Sequence, residues 1–177
     1  MRNGLLMATS FILAGSGMLH AQNYFPLAVG NRWEYVDEAR NRRVIVEVTG
    51  VDEISNKKWF KIRWLDGTER LLQLDAQGQL LELDRRRAEE VIWVNFASPL
   101  GKTYQTRNDP CAESARVTAK DANRVEIGYD NRCLDGGLLR EIYIDSVGLS
   151  ERIRVTYGGP MRYTLVSARI AGHELSF

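Results

Sequence analysis

Strict alternation of apolar and polar residues runs through most of this chain, and it leaves little room for helices. Val44, Val46 and Val48 alternate with Ile45, Glu47 and Thr49. Val125, Ile127 and Tyr129 alternate with Arg124, Glu126 and Gly128, and Ile153, Val155 and Tyr157 with Arg152, Arg154 and Thr156. A period of two is the signature of antiparallel strands buried on one face only. The turns between the runs carry their own chemistry. Asp66-Gly67 separates 59–65 from 68–74, the strongest short hairpin signal. Asp75-Ala76-Gln77-Gly78, Asp135-Gly136-Gly137 and Gly158-Gly159-Pro160 turn the chain again. The expected fold is all-β, an antiparallel meander of about ten strands, either closing as a barrel or folding as two packed sheets.

Two stretches are echoed further along. Gly30-Asn31-Arg32-Trp33 returns as Gly101-Lys102-Thr103-Tyr104, 71 positions on, each preceded by a Pro-Leu pair (Pro26-Leu27, Pro99-Leu100). The segment from Arg70 to Gly78 returns from Arg140 to Gly148, 70 positions on. A near-constant offset at two places suggests a duplicated β unit, with repeats over 24–90 and 97–170. No Pro- or Ser-rich linker divides the chain, so 22–177 is expected to be a single β domain.

The first 21 residues read as a leader. Met1-Arg2-Asn3 is a positive start, Leu5 to Leu13 is mostly apolar, and Leu19-His20-Ala21 closes a small-residue stretch before Gln22. That layout is a secretory signal peptide over 1–21, its apolar run shorter than the roughly 20 residues of a spanning helix. The mature chain is therefore expected to be exported, to the periplasm or the extracellular space, with no transmembrane segment.

Charge argues against a polyanionic partner. Of the 24 basic residues one, Arg2, lies in the leader, so the 23 acidic residues are matched one for one. No nucleic acid is expected. Arg85-Arg86-Arg87, between Asp84 and Glu89-Glu90, reads as a solvated turn or short helix, with a basic binding site the less favoured reading.

Cys111 and Cys133 are the only cysteines, and export places them where disulfides persist. If 115–120 and 124–129 form a hairpin centred on Ala122, Val117 faces Ile127, Ala119 faces Val125 and Ala115 faces Tyr129. Cys111 and Cys133 then fall opposite each other on the same face, within reach of a bridge. Such a bridge is worth roughly 3 kcal/mol in the chain-entropy model. Pro110 is the weak point of that register. A structural staple is expected, since a redox pair more often reads C-x-x-C beside a helix.

Catalytic residue types are scarce. Outside the leader the only histidine is His173, near the chain's end, which reads as a surface residue. No EF-hand loop, phosphate-cradling glycine loop or dinucleotide fingerprint is present, so no cofactor and no metal are expected. Carboxylates remain the only plausible catalysts. Asp75 and Asp145 hold matching places in the repeats, but each immediately precedes a turn, where Asp serves its own backbone.

The tryptophans divide by face. Trp33 with Tyr35, and Trp64 with Phe60 and Ile62, read as core. Trp59 falls opposite Phe60 and Ile62, beside Lys61 and Arg63, and Trp93 falls opposite Ile92, Val94 and Phe96. Trp59 and Trp93 are thus the candidate contacts for a ligand or partner, against packing under a second layer.

The stretch Tyr24-Phe25-Pro26-Leu27-Ala28-Val29-Gly30-Asn31-Arg32-Trp33-Glu34-Tyr35 resembles an opening that recurs in exported bacterial β-rich proteins after a signal peptide: Tyr-Phe-Pro-Leu, two residues, Gly-Asn, one residue, Trp, one residue, Tyr. Those proteins also tend to end with a Gly-Leu turn, a Gly-rich hairpin and a Tyr-x-Leu-x-x-Ala strand. Gly148-Leu149, Gly158-Gly159 and Tyr163 to Ala168 are similar to that ending. The resemblance implies an exported β domain and transfers no catalytic residue, because such proteins are mostly uncharacterised.

Together these features favour a non-catalytic binding or interaction protein of the cell envelope, with a small-molecule or protein partner left unspecified. The alternatives are a carboxylate-dependent hydrolase of envelope glycans and a structural or assembly protein. Two acidic side chains in one pocket, one with a raised pKa, would favour the enzyme; an apolar, carboxylate-free cavity would favour binding. An exposed apolar patch holding Trp59 or Trp93 would favour assembly.

Overall fold

The computed structural model describes residues 22–177, and the leader expected over 1–21 lies outside the described residues. Those residues form thirteen antiparallel strands and no helix. They are β1 (Arg32–Asp37), β2 (Arg42–Ile54), β3 (Lys57–Arg63), β4 (Glu69–Leu74), β5 (Gln79–Asp84), β6 (Glu89–Asn95) and β7 (Thr103–Gln105). There follow β8 (Ala112–Lys120), β9 (Arg124–Asn131), β10 (Gly137–Ile144), β11 (Gly148–Thr156), β12 (Gly159–Ile170) and β13 (His173–Ser176). Alternation had suggested about ten; β7 and β13 are too short to carry a visible period.

All strands belong to one sheet, ordered β6-β5-β4-β3-β2-β1-β12-β11-β10-β9-β8-β7, with β13 on β12. Each strand pairs with its sequence neighbour, except that β1 also pairs with β12 through six positions. The remaining junction, β6 to β7, has no ladder. It is joined by Arg107 N–H donating to Ile92 C=O at 3.2 Å and by the Thr106 hydroxyl donating to Ile92 C=O at 3.0 Å and Trp93 C=O at 2.8 Å. The sheet is a barrel with one open seam.

The echoed segments fall at matching places in two runs of six strands. Gly30 and Gly101 both have positive φ, 89° and 76°, the left-handed region that suits glycine. Each donates its N–H to a valine carbonyl of the strand after next, Val48 and Val117, at 2.9 Å. The second echo occupies β4 and β10, the fourth strand of each run.

Because the order is a meander, the connections after odd-numbered strands gather at one end of the barrel and those after even-numbered strands at the other. The latter end is closed by the segment before β1: Tyr24 and Phe25 are buried, and Phe25 stacks on Trp33 with ring centroids 5.1 Å apart. Asn23 N–H donates to Asp145 Oδ1 at 2.6 Å and ties this plug to the β10–β11 turn. Tyr24 packs on Phe96, and Phe96 meets Tyr143 edge-on, which joins the plug to β10 and to the segment after β6.

Faces follow from register, since directly opposed residues point the same way. Val46, Val48, Ile62, Leu72, Val117, Val125, Ile127 and Leu165 point inward and are buried, as their alternation requires. β11 departs from expectation. Its arginines face the interior, Arg152 opposite the buried Glu141, while Ile153 and Val155 are only half-buried and Tyr157 is 97 % exposed. Bulges in the β10–β11 ladder at Leu138/Arg140 and Ile142/Tyr143 shift the pairing. The inward arginines are tolerated because each meets a carboxylate, Arg152 on Glu141 and Arg154 on Asp109.

The bridge between Cys111 and Cys133 is formed, with Cα atoms 5.3 Å apart. Val117 faces Ile127 and Ala115 faces Tyr129 as expected, but Ala119 faces Glu126, not Val125. Bulges at Val117/Ala119 and Ala112/Ser114 separate the ladder from a simple register. Cys111 sits in the turn after Pro110, just before β8, and its carbonyl accepts from Arg132 N–H at 2.9 Å.

Candidate binding cleft

The open end of the barrel is built from inward-facing charged residues. Arg70 on β4 is opposite the core residue Ile62, and Glu82 on β5 is opposite the core residue Leu72, so both point inward. Arg70 Nη1 lies 3.1 Å from Glu82 Oε1, and its Nη2 lies 3.1 Å from Asp66 Oδ2 in the β3–β4 turn. The guanidinium rests on the Trp93 ring, 4.8 Å from its centroid. Trp93 meets Trp64 edge-on at 5.1 Å, and Arg152 lies 5.7 Å over the other ring system, that of Trp64. Two tryptophans sandwiched between two arginines thus form a cation–π floor under this end.

Behind the floor is a sealed polar cluster. Glu141 Oε2 accepts from the hydroxyls of Tyr129 at 2.5 Å and Tyr143 at 2.8 Å and from Asn108 Nδ2 at 2.9 Å. Its other oxygen is bound by Arg152, which also donates to Asn108 Oδ1 at 3.1 Å. All five residues are buried. Burial, and then the charge of Glu141, push both tyrosine hydroxyls well above their ordinary pKa, so they remain protonated donors. With its acceptors satisfied, this carboxylate is a structural anchor for Asn108 and hence for the segment 106–109.

That segment decides the seam. Thr106, Asn108 and Asp109 are buried as the chain after β7 dips into the barrel, so it leaves β6 after a single backbone bond. A cleft of about 980 Å3 opens along the gap, lined on one side by β4–β6 and on the other by residues 105–113 and Arg132. Six arginines and five carboxylates line it, and no aromatic side chain does, so it lacks the stacking ring of a typical sugar platform. Burial pushes the Glu82 carboxyl up, more than Arg70 beside it pulls down. Burial acts the same way on Asp66, but hydrogen bonds from Thr68 and the charge of Arg70 outweigh it, and that carboxyl is lowered.

The residues singled out from the sequence fall elsewhere. Trp93 lies in the core at 0 % exposure, because Leu80 pairs with Val94 and Leu81 with Ile92, which makes Trp93 the extra residue of a bulge. Trp59 keeps the expected face, with its partner Asp52, yet is 1 % exposed and lies outside the central cluster. Asp52 is bridged by Lys61 at 2.7 Å and Arg85 at 2.9 Å. Neither tryptophan meets solvent as a ligand contact or as part of an exposed patch. Asp75 accepts from Gln77 and Gln79 N–H groups and serves its turn, Asp145 holds Asn23, and His173 is exposed on β13. Arg85, Arg86 and Arg87 form a turn at the rim of the cleft.

Arg70, Glu82, Asn108, Glu141 and Arg152 were not singled out. A hairpin centred on the turn at Asp145 to Val147 sets Glu141 against Glu151; the bulge at Ile142/Tyr143 moves it opposite Arg152, so neither the pair nor its inward face was readable from the turn. Among the described residues no group of three or more His, Cys, Asp or Glu converges as a metal site, and no helix is long and apolar enough to cross a membrane. The chain matches no known family model, none of the curated proteins and no solved structure.

Proposed function

We propose that this chain is an exported binding protein of the cell envelope that takes its ligand in the cleft at the open seam. The observation that carries this reading is the seam itself: eleven strand junctions are ladders, and the twelfth is a charged cleft lined by Arg70, whose guanidinium rests on the buried Trp93. A polar, pre-formed concavity held on strands and backed by a satisfied network is how a recognition site is kept in shape. Export rests on the leader and accords with the disulfide. Amide chemical-shift mapping against small anions, peptides and envelope glycan fragments tests the reading. Shifts concentrated in 68–71, 82–92 and 105–113 support it, and a panel that moves none of these amides sinks it.

A second reading is favoured by Glu82. Its carboxyl is raised by burial and shares the cleft with Asp84, the arrangement expected of a carboxylate-dependent hydrolase. Release of sugar from envelope glycan fragments by the wild type, abolished in Glu82→Gln, would establish it. No turnover by the wild type returns the cleft to binding alone.

We also read the two six-stranded runs as a duplicated unit. The matching bends at Gly30 and Gly101 support this, as does the exchange of the β1–β12 junction with the β6–β7 junction when each strand is advanced by six. The resemblance to exported bacterial β-rich proteins gains a physical basis from proximity. Trp33 and Tyr35 of the opening lie against Val147 to Leu149, and Tyr163, Leu165 and Ala168 lie opposite Asp37, Tyr35 and Trp33.

A further inference from the structure

We infer that the cleft receives an extended, acidic polypeptide segment that pairs with the open edge of β6. This inference rests on the binding reading above and names its ligand class. The Ile92 carbonyl points into the seam, where it accepts from Arg107 and Thr106. Backbone groups alternate along a strand, so the N–H and C=O of Glu90 point to the same edge. Among the described residues neither has a hydrogen-bond partner, because the chain after Arg107 has already turned into the barrel. The cleft runs along this stretch, past Val91 and the turn at 85–87. An open edge beside a cleft is a template for strand addition, in which main-chain bonds supply affinity and flanking side chains supply selectivity.

The elsewhere-open edge of this sheet makes the contrast. The end of β12, from Ser167 to Ile170, runs past β11 and is covered by the chain's own β13. At β6 no segment of the described chain plays that part. The pseudo-equivalent junction, β1 with β12, has six paired positions where β6 and β7 have one backbone bond, so a strand of a few residues is what the seam lacks.

Charge selects the occupant. Glu89 is bound by Arg107 and faces Arg87 at 3.7 Å, and Glu90 is bound by Lys57 at 2.6 Å, so the edge carries no uncompensated negative charge. Glu82 is held by Arg70, Asp84 by Arg87, Asp109 by Arg154 and Glu69 by Arg85. Among the described residues Arg86 and Arg132 line the cleft without a carboxylate partner, and Glu113 is the one acidic liner without a cation. Two unmatched guanidiniums against one carboxylate, on opposite walls, favour glutamate or aspartate at alternate positions of an inserted strand.

The test uses the mature chain with a synthetic octapeptide alternating glutamate and valine, followed by fluorescence anisotropy and amide chemical shifts. Glu90→Pro removes the edge N–H, which has no partner, so the fold tolerates it on an edge strand. Glu90→Ala removes only the side chain. Strand pairing requires that Glu90→Pro weaken binding by about tenfold while Glu90→Ala stays near wild type. Arg86→Glu and Arg132→Glu should each cost about fivefold, and a lysine-for-glutamate peptide should bind more weakly than the original. Equal binding by the Pro and Ala variants, or undiminished binding of a peptide N-methylated at alternate residues, overturns the inference. If the peptide does not bind but small anions or glycans still shift the cleft amides, the inference fails and the binding reading stands. If nothing shifts them, both fail.

Discussion

The indole N–H of Trp33 donates to the carbonyl of Val147 at 2.6 Å, and the next residue, Gly148, lies so close that a Cβ there would sit 2.9 Å from Trp33 Nε1. Gly148 also has φ of 118°, a conformation that side chains rarely adopt. The contact joins the start of the first six-stranded run to the fourth hairpin of the second, and Tyr35 repeats it by donating to Leu149 C=O at 2.7 Å.

Gly148→Ala should therefore destabilise by about 1–3 kcal/mol from backbone strain, with the clash against a fully buried ring adding to it. Gly78→Ala is the control. Its φ is also positive, at 77°, but its Cβ would meet Ala97 Cβ at an ordinary 3.5 Å. Urea unfolding of both variants should give the larger loss at Gly148; equal losses would remove the Trp33 contact from the explanation.

Removing the disulfide should cost roughly 3 kcal/mol in the chain-entropy model. Pro110, Ala112 and Arg132 flank the bridge and line the cleft, so Cys111→Ser with Cys133→Ser should also loosen one wall of the site. Intact mass of the unreduced mature protein checks the bond itself, and two alkylatable thiols would contradict it.

Glu141→Ala or Arg152→Ala leaves a buried charge without its partner and should cost about 3–5 kcal/mol. Replacing both by apolar residues of similar size, Glu141→Leu with Arg152→Met, removes the uncompensated charge but leaves the Tyr129 and Tyr143 hydroxyls and Asn108 without their partner, so it should recover only part of that loss. A double-mutant cycle built from Glu141→Leu, Arg152→Met and their combination, read by thermal or urea unfolding, measures the coupling. Additive single losses would show that the pair acts independently.

The raised carboxyl of Glu82 has a signed consequence for pH. Its contribution to stability is full below the ordinary glutamate value near 4.5 and is lost as pH rises through the folded-state pKa. Glu82→Gln cannot lose it. The stability of Glu82→Gln relative to wild type should therefore increase between about pH 4 and pH 7. Urea midpoints at both values check this, and a difference independent of pH would rule out the shift at this residue.

Much of the barrel was legible in local pattern because an exposed sheet face and a buried one impose period two directly. Val46, Val48, Val117, Val125 and Ile127 alternate and are buried. The hairpin at Asp66-Gly67 forms, and the cysteine pair closes even though two bulges break the register used to match it. The site was not legible in the same way. Trp93 changed sides because one extra residue in β6 inverts the alternation beyond it, and nothing in its neighbours marks the bulge. Arg152 and Arg154 read as the solvent face of β11 because arginine is rarely inside without a partner, and their partners, Glu141 and Asp109, come from a neighbouring strand and from the loop before β8.

The amino-acid sequence by itself determined the class of the fold, the places where it turns, the residues that fill most of its core and the two cysteines that staple it. These follow from interactions within a strand or across one hairpin. Tertiary structure alone decided which end of the barrel is plugged, which charged residues turn inward and where the ring of strands fails to close. Those depend on segments far apart in the chain: Tyr24 against Phe96, Phe25 against Tyr143, and Asn108 on Glu141, which draws the chain after β7 away from β6. The cleft is the consequence of that one departure.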